Sequence, residues 1–187
     1  MEHHNAPDNP PRRDPLRIGV VGLGYWGPNL VRNLAESVDF ELAHLCDLRT
    51  DALETVAQRY PGIRCTTRFG EILSDELLDA VAIATPVSTH HPLARAVLES
   101  GKHAFVEKPL ASSSRHALEL TALAKANDLV IMPGHTFVYS PPVRTIKDLI
   151  DSNELGEIYF ISSSRVNLGL HQRDTSVIWD LGPHDFS

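Results

Sequence analysis

The sequence predicts an α/β fold in which helices cover both faces of a doubly wound parallel sheet, and three observations support this prediction. Apolar runs typical of buried strands alternate with amphipathic segments typical of helices along most of the chain. The first apolar run, residues 18–21, leads directly into a glycine-rich turn at residues 22–27. The run at residues 80–84 is continuously apolar, as expected for a central parallel strand covered on both faces.

The glycine-rich turn has the spacing of a dinucleotide-binding turn between a strand and a helix. Gly22 permits a tight turn, Gly24 lets the backbone approach a pyrophosphate, and Gly27 allows the following helix to pack closely on the sheet. The free N–H groups and the dipole of that helix favour an anion at its N-terminus. Because glycine also forms corners that bind nothing, the turn alone leaves a purely structural reading open.

A second predicted strand, residues 40–46, ends at an acidic residue. Asp47 stands where a carboxylate accepts hydrogen bonds from the adenosine ribose, which favours NAD over NADP. Arg49 is able to stack on adenine or to pair with a 2′-phosphate, so NADP stays possible. Asp47 also suits a cap on a helix that begins near Thr50, and both roles are compatible.

Further elements follow in regular alternation along the chain. Thr89 is expected to cap a helix with Pro92 in its first turn, and Gly101 to end that helix. The other predicted elements are a helix over residues 50–60, a strand over 63–67, a strand over 103–107, a helix over 113–126 and a strand over 130–132. Because strand ends of such a sheet share one crevice, we expect it to be lined by residues 22–27, Asp47, Thr85, Pro86, Glu107, Lys108, Pro109, Gly134 and His135.

Two motifs carry candidate chemistry. Lys108 ends a predicted strand before a proline that fixes the backbone and can take a cis bond, so its amine is expected to reach the nicotinamide region and donate or relay a proton. Asp180 and His184 are four residues apart, and if Pro183 begins a helix they reach the same side of it. His184 then suits an acid or base role at neutral pH. The alternatives are a surface lysine beside a turn and an aspartate cap beside an exposed histidine.

Length and composition limit the domain organisation. The 187 residues accommodate one complete domain and part of a second. We expect a disordered leader over residues 1–15, a dinucleotide-binding domain over 16–140, and the incomplete start of an α+β substrate domain over 141–187. Residues 157–166 are expected to begin the sheet of that second domain. Trp26 and Trp179 are expected to serve packing more than ligand stacking.

Charge and cysteine content exclude several functional classes. The formal net charge of −7 argues against nucleic acid as a partner. Only two cysteines argue against a disulfide framework, and no run has the length of a membrane span, so we expect a cytoplasmic protein. No metal site is expected, because the histidines at positions 90, 91, 135, 171 and 184 lack a clear ligand spacing.

In this order and spacing, the motifs resemble the Gfo/Idh/MocA family of glucose-fructose oxidoreductase and inositol dehydrogenase. The resemblance rests on the glycine turn, Ala84-Thr85-Pro86 with Thr89-His90, Gly101-Lys102-His103 before Glu107-Lys108-Pro109, and the Asp180-x-Gly182-x-His184 pattern. It implies a Rossmann-type domain and NAD(P)-dependent hydride transfer at a carbinol or ketone carbon of a sugar, cyclitol or sugar nucleotide. It also implies a homo-oligomer for a full-length form.

The resemblance further implies which residues form the site. Lys108, Asp180 and His184 form the expected catalytic group, although the proton-transfer roles of lysine and histidine are exchangeable. The expected cofactor contacts are Gly22, Leu23, Gly24, Tyr25, Trp26, Gly27, Asp47, Leu48, Arg49, Thr85, Pro86, His90, Glu107 and Lys108. The expected substrate contacts are Lys108, His135, Phe137, Tyr139, Arg165, Asn167, Asp180 and His184, and the segments around 135 and 167 look like members that process nucleotide-linked sugars.

Two rival functions stay open from the sequence. A non-catalytic nucleotide sensor would use the same glycine turn, and a Rossmann-type methyltransferase would place an acidic residue similarly. The joint presence of Lys108, Asp180 and His184 counts against the sensor, and the Glu-Lys-Pro strand end has no obvious role in a methyltransferase. Members of the family continue into a second domain, so we expect cofactor binding by this chain and doubt its turnover alone.

Overall fold

A computed structural model describes residues 14–164 and 176–182 and contains one sheet of six parallel strands. The strands are β1 (Leu16–Val21), β2 (Phe40–Cys46), β3 (Arg64–Thr66), β4 (Ala80–Ile83), β5 (His103–Val106) and β6 (Ile131–Pro133). Their order across the sheet is β3-β2-β1-β4-β5-β6, and every described pair is parallel. This order is that of a dinucleotide-binding Rossmann fold, which confirms the predicted fold class.

Helices lie between the strands and beyond the last of them. They are α1 (Gly27–Glu36), α2 (Thr50–Ala57), α3 (Phe69–Ser74), α4 (Val87–Glu99), α5 (Ser114–Ala126), α6 (Pro141–Asp151) and α7 (Val177–Leu181), with a 3₁₀ turn at Thr136–Tyr139. Successive residues of β4 point to opposite faces: Val81 and Ile83 pack in one apolar cluster, and Ala80 and Ala82 in the other. The sheet is therefore covered on both sides, which is why β4 is apolar throughout.

The order in which strands are added to the sheet reverses between β1 and β4. From β1 it runs outward through β2 and β3, and it then crosses back to place β4 on the other side of β1. The two strands pair from Ile18 opposite Ala80 to Val21 opposite Ile83, and the Ala84 amide donates to the Val21 carbonyl at 2.8 Å. A ligand crevice is expected outside the carboxyl ends of the strands at such a point.

The start of α4 differs from the sequence prediction. The helix begins at Val87 after Pro86, so Pro92 lies inside it and Thr89 is not its N-cap. The Thr89 hydroxyl instead donates to the Pro86 carbonyl at 2.7 Å and lies 2.7 Å from the Thr85 hydroxyl. The proline at position 86 fixes the turn, and the threonine supports it from within the helix. Gly101 follows the helix with a φ of +78°, as expected for a left-handed ending.

Two other expectations about helices had different outcomes. Ser113 caps α5 by accepting a hydrogen bond from the His116 amide, as predicted. Asp47 does not cap α2, because Arg49 occupies the N-cap position and makes no side-chain cap bond. Helix α3 has no counterpart in the sequence prediction, since its six residues are too few to show a period.

The structure describes only part of the two terminal segments that the sequence analysis separates from the dinucleotide-binding domain. Residues 1–13 of the predicted leader lie outside the described residues. Beyond residue 140 the structure describes α6, the segment to residue 164 and α7; residues 157–164, expected to begin a second sheet, contain no strand there. None of the helices in the described part of the chain combines the length and apolar character that crossing a bilayer requires.

Candidate dinucleotide site

A cleft of about 700 Å³ opens at the carboxyl ends of β1, β2, β4 and β5. It lies at the point where the strand order reverses, as expected for a dinucleotide site. Its lining comprises Val21, Gly22, Gly24, Tyr25, Trp26, Cys46, Asp47, Leu48, Arg49, Thr67, Phe69, Ala84, Thr85, Pro86, Val87, Thr89, His90, Pro92, Leu93, Glu107 and Lys108. The glycine turn and the candidate catalytic lysine therefore border the same space.

The three glycines of the turn differ in what a side chain at each position would meet. Gly22 has a φ of +92°, and a Cβ there would lie 2.7 Å from the Ala84 carbonyl group. A Cβ on Gly27 would lie 2.0 Å from the Gly22 carbonyl oxygen, so only glycine lets α1 approach the turn this closely. A Cβ on Gly24 would meet nothing within 4 Å, because this residue borders the open cleft. The backbone at Gly24 is thus left uncovered on the side of the cleft.

The carboxylate of Asp47 ties the end of β2 to the glycine turn. Its Oδ2 accepts a hydrogen bond from the Leu23 amide at 2.6 Å, and its Oδ1 accepts one from the Arg49 amide at 2.9 Å. The Arg49 guanidinium is more than half exposed and lies 3.4 Å from Asp47 Oδ1 and from the Leu23 carbonyl. A negative charge is therefore fixed at one end of the cleft, with a positive group beside it.

Glu107 and Lys108 border the other end of the cleft. The Lys108–Pro109 peptide bond is cis, as the sequence allowed. The Lys108 amide donates to Glu107 Oε2 at 3.3 Å, and a Cβ on Gly134 would lie 3.2 Å from the same oxygen. Burial raises the pKa of the Glu107 carboxyl, and the Lys108 amide and charge oppose that rise. Gly134 thus packs behind Glu107 and does not line the cleft, contrary to the sequence expectation.

Two aromatic side chains of the glycine turn lie at the surface beside the cleft. Tyr25 is 71% exposed and Trp26 is 49% exposed, and their rings meet edge to face with centroids 5.6 Å apart. Trp26 thus packs against Tyr25 at the cleft and is not part of the buried core. Trp179 is likewise 44% exposed. The pair at the turn offers apolar surface to a bound ligand.

The cleft lining includes twelve of the fourteen predicted cofactor residues. The exceptions, Leu23 and Gly27, are buried; Leu23 donates its amide to Asp47, and Gly27 admits the helix. Sequence reasoning missed Thr67 and Phe69, which border the cleft where α3 begins. Helix α3 was not predicted, so nothing marked Phe69, its first residue, as a site residue, whereas Thr67 ends the strand predicted over residues 63–67 and the strand-end rule could have found it.

The predicted substrate and catalytic residues are less fully described. His135, Phe137 and Tyr139 follow β6 on or beside the 3₁₀ turn, and neither they nor Pro109 border the cleft. The backbone at Asp180 lies in α7, which ends before Pro183. Three predicted residues, Arg165, Asn167 and His184, lie outside the described residues, and so does the helix expected to begin at Pro183.

The donor and charge pattern of the cleft fits a nicotinamide dinucleotide. The bare backbone at Gly24 and the N-terminus of α1 suit a pyrophosphate, and the carboxylate at the end of β2 suits a ribose diol. The volume lies in the range of cofactor sites. From the reversal point, the cleft extends towards β2 on one side and towards β4 and β5 on the other, so the two halves of such a molecule would lie at these two ends.

Comparison with known proteins agrees with this geometry. The family model described as an oxidoreductase family with an NAD-binding Rossmann fold matches residues 16–135. The uncharacterized oxidoreductase YdgJ of Escherichia coli is 32% identical in an alignment of 181 residues that covers 91% of this chain and 51% of that protein. Inositol 2-dehydrogenase of Corynebacterium glutamicum is 28% identical over 177 residues, 91% of this chain and 52% of that protein.

Solved structures show the same likeness. GenD2 from gentamicin A biosynthesis, in complex with NAD, is 33% identical with a TM-score of 0.72, covering 75% of this chain and 40% of that one. KijD10, a 3-ketoreductase from Actinomadura kijaniata in complex with NADP and TDP-benzene, is 26% identical with a TM-score of 0.69, covering 74% and 43%. The chain spans about half the length of the curated relatives it matches. By its family match and its fold, the chain belongs to the Gfo/Idh/MocA oxidoreductase family.

Proposed function

We propose that this chain supplies the cofactor-binding half of an NAD(P)-dependent dehydrogenase that transfers hydride between nicotinamide and a carbinol or ketone carbon. The observation that carries the proposal is the placement of Lys108 on the same cleft as the glycine turn. A sensor needs the turn and not the amine. Because the curated relatives are about twice as long, the reaction is proposed for the whole protein.

The cofactor would supply the hydride acceptor or donor at nicotinamide C4. The amine of Lys108 would donate a hydrogen bond to the substrate oxygen and stabilise the charge that develops there. His184 would remove the hydroxyl proton during oxidation, and Asp180 would orient its imidazole. Reduction of a ketone reverses these steps, and the proton-transfer roles of Lys108 and His184 are exchangeable.

We also propose that NAD is preferred to NADP. The Asp47 carboxylate is fixed by two backbone amides at the end of the cleft that suits the adenosine ribose. A 2′-phosphate there would face a negative charge within a few ångströms, which is unfavourable. The Arg49 guanidinium offsets part of this repulsion, so NADP binding is expected to be weaker and not absent.

The proposed substrate is a sugar, a cyclitol or a sugar nucleotide. Relatives that act on such molecules include an inositol 2-dehydrogenase and a dTDP-3,4-didehydro-2,6-dideoxy-α-D-glucose 3-reductase of Actinomadura kijaniata. Of the expected substrate contacts, Lys108, Asp180 and His184 would lie nearest the reacting carbon. A homo-oligomer is proposed for the whole protein. A cytoplasmic location is also proposed, because both cysteines are free thiols, as is usual in a reducing compartment.

Two measurements test the proposal. Calorimetry of this chain with NADH and NADPH should show saturable binding, and a screen of sugar nucleotides and cyclitols with the full-length protein should show turnover. Lys108→Ala should suppress turnover while largely sparing NADH affinity, and Lys125→Ala, an exposed lysine on α5, should change neither. Well-folded chain that binds no nicotinamide nucleotide would contradict the proposal, as would full turnover by the Lys108 variant.

A further inference from the structure

The imidazole of His90 bridges two backbone segments beneath the cleft. The side chain is 1% exposed on α4, with Nδ1 2.8 Å from the Pro109 carbonyl oxygen and Nε2 2.9 Å from the Thr85 carbonyl oxygen. A carbonyl oxygen only accepts, so either contact is a hydrogen bond where the ring nitrogen facing that carbonyl carries the proton. Both nitrogens thus face the protein backbone, which leaves neither of them to bind a cofactor atom.

The bridge lies where the backbone pairing of β4 and β5 gives way to the cleft. The strands pair up to Ile83 opposite Val106, and the Glu107 amide then donates to the Ile83 carbonyl at 2.9 Å. Thr85 and Pro109 stand a few residues beyond those positions on either strand. The ring of His90 therefore links the two segments again after their separation.

The linked segments carry cleft residues on both sides. Thr85 and Pro86 border the cleft after β4, and Lys108 borders it directly before the Pro109 carbonyl that the ring holds. The other half of the cleft, at the glycine turn and Asp47, makes no described contact with this ring. Any effect of the bridge should therefore concentrate at the end of the site over β4 and β5.

We infer that His90 is a positioning residue that fixes the Lys108 segment relative to the Thr85–Pro86 turn, and so sets the nicotinamide end of the site. The inference rests on the proposed function, because it assigns that end of the cleft to nicotinamide. A histidine that serves only the stability of the core would affect both ends of the site alike. A positioning residue acts through the geometry of the segments that it holds. Loss of His90 should therefore affect the contacts of one end of a bound dinucleotide and leave those of the other end unchanged.

Binding of NADH and of ADP, which corresponds to one half of NADH, distinguishes a positioning role of His90 from a role in core stability alone. NADH spans both ends of the cleft, whereas ADP occupies only the half at the glycine turn and Asp47. His90→Leu, which removes both ring nitrogens, should weaken NADH binding about tenfold and change ADP binding by less than about twofold. His90→Gln keeps a side-chain N–H donor and should recover part of the NADH affinity. His91→Gln, on the same helix but directed to Glu119, is the control and should leave both affinities unchanged.

The outcomes separate the two claims. If the wild-type chain binds both ligands and His90→Leu lowers the two affinities equally, or lowers neither, the positioning role is overturned and the proposed function stands. If the wild-type chain binds neither ligand, the proposed function falls and this inference falls with it. If His90→Leu does not fold, His90→Gln decides, since selective loss of NADH affinity supports the inference and an equal loss overturns it.

Discussion

The close approach of α1 to the glycine turn makes Gly27→Ala the most informative substitution for cofactor binding. The new methyl carbon would lie 2.0 Å from the Gly22 carbonyl oxygen, while ordinary contact begins at about 3.4 Å, so the helix and the turn have to separate by roughly 1.4 Å. Overpacking of this kind costs about 1–3 kcal/mol of unfolding free energy. For a chain of this length, each kcal/mol lowers Tm by about 2–4 °C. Because the separation also displaces the phosphate-binding amides, NADH affinity should fall as well.

Two further glycines of the same chain serve as matched controls. Gly24→Ala adds a methyl group that meets no protein atom within 4 Å but enters the cleft, so it should weaken NADH binding without lowering Tm. Gly70 lies in open space on α3 and does not border the cleft, so Gly70→Ala should leave NADH binding unchanged with Tm equal or slightly higher. Thermal unfolding and calorimetric titration of the three variants measure both quantities. If Gly27→Ala kept wild-type Tm and affinity, the packing argument would be refuted.

Three other substitutions or treatments test separate parts of the structure. Asp47→Asn removes the negative charge at the end of β2, so it should raise the affinity for NADPH relative to NADH about tenfold. An unchanged affinity ratio in parallel titrations would mean that the 2′-position of the adenosine ribose lies elsewhere. Burial lowers the pKa of His44, with Arg64 adding to the effect, so the unfolded state takes up a proton first and unfolding free energy should fall as pH decreases from about 7. His44→Gln should show a shallower fall in denaturant titrations, and equal slopes would contradict the assignment. Iodoacetamide should label exposed Cys65 in the native chain while sparing Cys46, since burial raises the pKa of that thiol to about 11; equal labelling by mass spectrometry would contradict the burial.

The parallel sheet and most of the residues that line the cleft follow from local sequence signals. Glycine spacing, a carboxylate at a strand end and a continuous apolar strand each have a local physical cause, and the rule for parallel strand ends brings them together. Asp47 and Lys108 are far apart in the sequence, yet each follows a predicted strand, so the rule predicts that both border one cleft. The structure confirms this prediction.

Other features depend on contacts that no local pattern reveals. Helix α3 and the cleft residue Phe69 escaped prediction because six residues are too few to show a helical period. Thr89 has the chemistry of an N-cap, but Pro86 already fixes the start of the helix. His90 suggests a cofactor ligand by its motif, and only its tertiary contacts show both nitrogens directed at carbonyl groups.

The central claim is that the cleft at the reversal of the sheet holds a nicotinamide dinucleotide with its pyrophosphate at the glycine turn. A crystal structure of this chain grown with NADH tests it most directly. We expect the pyrophosphate against the backbone of residues 22–27, the adenosine ribose at Asp47 and the nicotinamide beside Lys108. Nucleotide bound at another surface, or in this cleft with the nicotinamide over β2, would contradict the account.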